Sequence, residues 1–188
     1  MPPPPPGTEE RIEREQPETV AVPGLPLEEI ETPGRDADLR VLLAGVPRDR
    51  WKQVGFNREV AESFFHVYVN GDILWVQGVD QRGAVGPVRQ ATLVFPSATN
   101  QNHRIEFAEP EGRRDPRPER AILVVLERSF RTFRYMSLRP GDAAYAALKR
   151  ELAAGAAFGA ARKPETKRVV LSYRELKAAW PGPCPLRP

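Results

Sequence analysis

Beyond Asp38 the chain is laid out as short apolar runs broken by polar or turn-forming residues, and most of these runs read as β-strands. "LRVLLAGV" (39–46) reads as a buried first strand. "FFHVYVNGDILWVQGV" (64–79) sets two aromatic and β-branched runs around Asn-Gly-Asp. Asn and Gly both tolerate positive φ, so this stretch predicts a hairpin. "PVRQATLVFP" (87–96) and "HRIEFAE" (103–109) follow as neighbouring strands, "AILVVLERSFRTFRYMSL" (121–138) as a second hairpin and "KRVVLSY" (167–173) as a late strand.

The period changes in three places. Residues 58–63 suit a short helix, and "RELKAAW" (174–180) suits another. In "RPGDAAYAALKRELAAG" (139–155), Tyr145, Leu148 and Leu152 share one helical face, and Asp142 stands where an N-cap belongs. Strands and helices do not alternate regularly, so a doubly wound parallel sheet is not expected. The pattern predicts a mainly β, α+β domain over 36–180: an antiparallel, partly open β-barrel of six or seven strands with one or two short helices. Residues 181–188 read as a C-terminal tail.

Residues 1–35 differ from the rest. They hold nine of the 21 prolines and eight glutamates, against only Arg11, Arg14 and Arg35. This proline-rich acidic tail, disordered or docked on a partner, carries a charge of −5 and leaves +8 on the rest of a +3 chain. Its one apolar run is "VAVPGLPLEEI" (20–30). The body's basic set is mostly arginine, since the whole chain has only Lys52, Lys149, Lys163, Lys167 and Lys177. Planar guanidinium forks suit phosphates and guanine edges, although a codon bias that also enriches Ala, Gly and Pro would produce the same count.

Candidate chemistry is sparse. Cys184 is the single cysteine, so no internal disulfide and no CxxC site can form. His66 and His103 are the only histidines and lack metal-ligand spacing; His66 reads as a structurally satisfied imidazole. Ser97, Ser129 and Ser137 lie outside any nucleophile elbow. The glycines of "GVDQRGAVGP" (78–87) match neither phosphate-loop motif and read as a bend between strands. No cofactor, metal or catalytic residue is expected. With no apolar run of membrane-spanning length and no secretory leader pattern, the expected setting is the cytoplasm.

Binding groups are better represented. Gln81 and Arg82 share one loop with Arg89 close by. Asn100, Gln101, Asn102 and Arg104 stand in "FPSATNQNHRIEF" (95–107), and Arg128, Arg131 and Arg134 in the second hairpin. Asn and Gln can bond adenine in two places and Arg can do so with guanine, while hydroxyls and amides fix phosphates. Each loop alone has an ordinary structural explanation as an Asx turn or a solvated arginine. Together, on a basic body, they point to nucleic acid.

"LVFPSATNQNHRIEF", "RAILVVLERS" and "FRYMSLRPGDAAYAAL" also resemble the B-three type DNA-binding pseudobarrel of bacterial restriction endonucleases, over residues 60–155. The resemblance implies a seven-stranded open barrel holding duplex DNA in the major groove between two arms, here the Gln81–Arg89 and Asn100–Arg104 regions. The chain departs from that pattern in lacking a nuclease domain. The expectation is a double-stranded DNA-binding module of a restriction or defence system without catalysis of its own, its tail engaging a nuclease or other protein subunit. Two alternatives stand beside it. One is a scaffold subunit docking through the proline-rich tail. The other is a small nuclease or hydrolase in which Asp72, Glu106 and His103 converge.

Overall fold

The computed structural model describes residues 39–46, 53–96, 103–107, 119–159 and 167–188. Eight strands and three helices follow in the order β1 (Arg40–Gly45), β2 (Gln53–Phe56), α1 (Arg58–Ser63), β3 (Ile73–Val79), β4 (Val85–Thr92), β5 (His103–Glu106), β6 (Ile122–Ser129), β7 (Thr132–Leu138), α2 (Tyr145–Ala154), β8 (Arg168–Ser172) and α3 (Tyr173–Ala179). Six strands form one sheet in the order β4-β3-β7-β6-β1-β8, and β2 pairs with β5 in a second. The tail of residues 1–35 lies outside the described residues.

β1 and β6 are continuous apolar runs because both faces of the large sheet are covered. On one face Leu42, Val125, Leu74 and Phe133 pack against Phe56 and Ile105 of the small sheet and against Phe64, Phe65 and Val67. On the other, Val41, Leu43, Val124 and Met136 meet Leu148 of α2, Leu176 of α3, Trp180 and Leu186.

The outer strands are linked through the small sheet. Val94, just past β4, exchanges both backbone bonds with Arg104 of β5 (2.8 and 2.9 Å), β5 pairs with β2, and Arg168 of β8 donates to the Gly55 carbonyl of β2 at 2.8 Å. A side chain bridges that last seam, and among the described residues no strand pairing closes it. The barrel is therefore open, as the strand pattern predicts.

Three local expectations change. The sheet is mixed, because β3 runs parallel to β7. With β4 on the other edge of β3, no edge is left for 64–69, and this run is a loop rather than the first arm of a hairpin. It plugs the core with Phe64, Phe65 and Val67, all fully buried, and turns at His66 with φ 55°. Finally, α2 begins at Tyr145 without a side-chain cap. The Asp142 carboxylate instead accepts from the Arg139 amide at 2.7 Å, within the turn before the helix. The second hairpin forms as read, β6 and β7 joined through Phe130 and Arg131. So does the helix after the late strand, whose Ser172 and Glu175 make a reciprocal capping box.

Candidate nucleic-acid interface

The strand directions give the large sheet two ends. β1, β3 and β7 finish at the top, where β4, β6 and β8 begin; the bottom holds the opposite strand ends.

Gln81 and Arg82 stand at the top, in the β3–β4 turn. Asp80 shapes this turn: its Oδ1 accepts from the amides of Arg82 and Ala84, both at 2.8 Å, and Gly83 supplies φ 84°. The Gln81 amide donates to the Ser137 carbonyl (3.2 Å) and the Asp142 carboxylate (3.3 Å), tying the turn to the end of β7. Arg82 is left exposed at the tip. Arg89 lies halfway along β4 and donates to the Tyr135 hydroxyl at 2.9 Å. That hydroxyl fits because Gly78 has no side chain; a Cβ there would stand 3.3 Å from it.

The remaining arginines are elsewhere. Arg134 is 9% exposed, with bonds to Gln77 Oε1 (3.1 Å) and the carbonyls of Arg187 (3.0 Å) and Pro188 (2.7 Å). Arg131, at the bottom, pairs with Asp72 and the His66 carbonyl. Arg128 is half-buried near the same end, and Arg104 is half-buried on β5. Asn100, Gln101 and Asn102 fall outside the described residues. The seven residues of β3, at about 3.3 Å each, set Arg82 and Arg131 roughly 23 Å apart. The predicted cations therefore do not share one end of the sheet.

Sequence reasoning missed a basic rim at the top. Arg120 precedes β6, Arg139 follows β7, and Lys167 and Arg168 introduce β8; Arg120 and Lys167 are half-buried, whereas Arg139 and Arg168 are buried. Burial, with Arg120 nearby, lowers the Arg168 guanidinium to about 10; the group lies over the Phe56 ring at 5.4 Å. Lys167 Nζ donates to the Ala153 carbonyl at 2.7 Å. Tyr145 Oη donates to the Arg120 carbonyl at 2.8 Å, and burial, with Glu119 beside it, raises this phenol to about 12. Among the described residues Asp80, Glu119 and Asp142 place carboxylates at this end. The clue lay in the flanks of the apolar runs: each of these cations adjoins a strand on the side that antiparallel alternation brings to the top.

The catalytic alternative meets a different geometry. Asp72 is at the bottom, and the Tyr68 amide leads the groups that hold its carboxyl below the usual range. His103 and Glu106 project from opposite faces of β5, the first buried and the second exposed. Among the described residues no group of three His, Cys, Asp or Glu is placed to hold a metal, and no helix is long and apolar enough to cross a membrane. The His66 imidazole bonds Glu127 Oε1 through Nε2 at 2.5 Å, the structural role read from its sequence setting.

No protein-family model and no curated protein matches the chain. Among solved structures it is similar to the N-terminal domain of Helicobacter pylori LlaJI.R1, at 13% sequence identity and a TM-score of 0.48, with 70% of this chain and 97% of that chain covered.

Proposed function

We propose that the chain is a double-stranded DNA-binding module that reads base sequence within a restriction or defence system and has no catalysis of its own. The observation that carries this reading is the top rim, where exposed Arg82 is joined by half-buried Arg120 and Lys167 from separate strand ends, with Arg139 and Arg168 buried beneath them. A rim of fixed cations suits a polyphosphate surface, because each phosphate neutralised releases counterions.

Within this reading Arg82 is the leading phosphate or guanine contact, since its turn is held rigid and its side chain is exposed. Arg89 and Arg104 are secondary backbone contacts, and Arg128, near the bottom, stands away from the rim. Base discrimination rests on Asn100, Gln101 and Asn102, whose amides match adenine, while Gln81, whose amide already donates to Ser137 and Asp142, holds the β3–β4 turn in place. Arg131 and Arg134 hold the fold that carries these groups. The restriction or defence setting follows the resemblance of residues 60–155 to pseudobarrel domains.

Fluorescence anisotropy with labelled duplexes over a salt series tests the reading. Affinity should fall linearly with the logarithm of salt concentration. Absence of binding at low salt, or binding indifferent to salt, would overturn it.

A further inference from the structure

Four of the six large hydrophobic residues left exposed among the described residues, Tyr68, Val69, Ile73 and Phe130, stand on one corner at the bottom of the sheet. We infer that this corner is a docking surface for the chain's own N-terminal segment, residues 20–30.

The corner is built before anything docks on it. The Asp72 carboxylate accepts from the amides of Tyr68 (2.9 Å) and Val69 (3.1 Å), which closes the 68–72 turn. Arg131 ties this turn to the β6–β7 turn through its pair with Asp72 and its Nε bond to the His66 carbonyl at 2.7 Å. The Trp75 amide donates to the Arg131 carbonyl at 2.8 Å. Phe130 stacks on the His66 ring, centroids 5.2 Å apart, yet stays 65% exposed. Holding apolar side chains outward on a rigid frame gives a partner contact area with little further ordering cost.

The identity of the occupant comes from where the tail joins the body. Arg40, at the start of β1, donates to the Ser63 carbonyl (2.6 Å) and pairs with Glu127 (3.6 Å). Glu127 holds His66, and His66 carries Phe130. Three contacts, none longer than 5.2 Å, thus lead from the root of the tail to the corner. Residues 31–38 are the spacer, and eight extended residues reach at most about 29 Å. The segment beyond the spacer is the tail's one apolar run, with Val20, Val22, Leu25, Leu27 and Ile30. A short tether raises the local concentration of that run to roughly the millimolar range, so a weak apolar contact is enough. This inference stands independently of DNA binding.

The test uses the full ¹⁵N-labelled chain with a spin label on Glu31→Cys in a Cys184→Ser background. Amides of 66–73 and 129–132 should lose several-fold in intensity. They should recover in Phe130→Ser and in the Leu25→Ser/Leu27→Ser variant, whose changes lie in the tail segment itself. Unchanged intensities would overturn the inference. So would broadening that survives both variants, since the tether alone then explains it. Broadening in a mixture of spin-labelled and separately ¹⁵N-labelled chains would assign the corner to a second copy and overturn it as well.

Discussion

Arg131 and Asp72, 59 residues apart, form a two-point ion pair, Nη1 to Oδ1 at 2.9 Å and Nη2 to Oδ2 at 2.8 Å. Planar guanidinium and carboxylate forks match in this geometry, and lysine could not reproduce it. The pair also secures two strained residues, since His66 and Arg131 both have φ 55°. Arg131→Lys should lower the thermal midpoint by several degrees, and Arg131→Ala by more. An unchanged midpoint for Arg131→Ala would show that the pair is incidental to the fold.

The same carboxylate gives an acid limb. Asp72 is held below its ordinary value of 3.8, first by the Tyr68 amide and further by the Val69 amide and Arg131. A depressed carboxylate contributes stability that is present above the unfolded value and lost as pH falls through the folded one. Asp72→Asn should therefore be less stable than the parent at neutral pH, with the gap narrowing below about pH 4. Urea midpoints along a pH series measure this, and a gap that stays constant would contradict the assignment.

His103 predicts a slope in a different window. Burial, the largest effect on this imidazole, lowers it from 6.5, and its Nδ1 has no hydrogen-bond partner. The unfolded chain takes up this proton more readily than the folded one. Stability is therefore full above about 6.5 and falls as pH drops from there toward the folded value. His103→Leu fills the site beside the Phe95 ring and should flatten that part of the profile. A parent and variant whose stabilities run parallel between pH 7.5 and 5 would rule the effect out.

Much of this architecture is legible from local pattern. The β6–β7 hairpin, the late strand and the capping box at Ser172 are each specified by neighbours in sequence. The parallel β3–β7 pairing is not, because nothing near Ile73 announces that Thr132 will lie beside Trp75. "FFHVYV" alternates as a strand would, yet its phenylalanines are required as a plug between two sheets, and tertiary packing overrides the period. The rim was hidden for a related reason. Arg120, Arg139 and Lys167 are unremarkable singly and become a group only once the strand order is known.

Gly159 and Asn57 form a long-range contact that sequence patterning does not suggest. Asn57 Oδ1 caps α1 by accepting from the Val60 amide at 2.9 Å, and its side-chain amide packs where a Cβ of residue 159 would stand. Gly159 also has φ 74°. Asn57→Ala should cost about 1 kcal/mol for the lost cap. Gly159→Ala should cost about 2 kcal/mol, from left-handed strain and displacement of the cap together. The double substitution should fall short of additivity, since removing the Asn57 side chain relieves the clash. Additive costs in a denaturant series would show that the two do not interact.

Within the DNA reading, Arg82 and the polar 97–102 segment should behave differently. A guanidinium on a rigid turn that meets phosphate contributes equally on every duplex. Arg82→Ala should weaken binding uniformly and make the log–log salt slope shallower by about 1. Asn100→Ala with Asn102→Ala removes amides able to bond adenine in two places. Each lost base contact should cost about 1–3 kcal/mol on the preferred sequence and little on random duplex. Competition binding on a duplex library separates the two. Uniform weakening by the Asn pair would make the segment a backbone clamp, and a changed base preference with Arg82→Ala would move sequence reading to the β3–β4 turn.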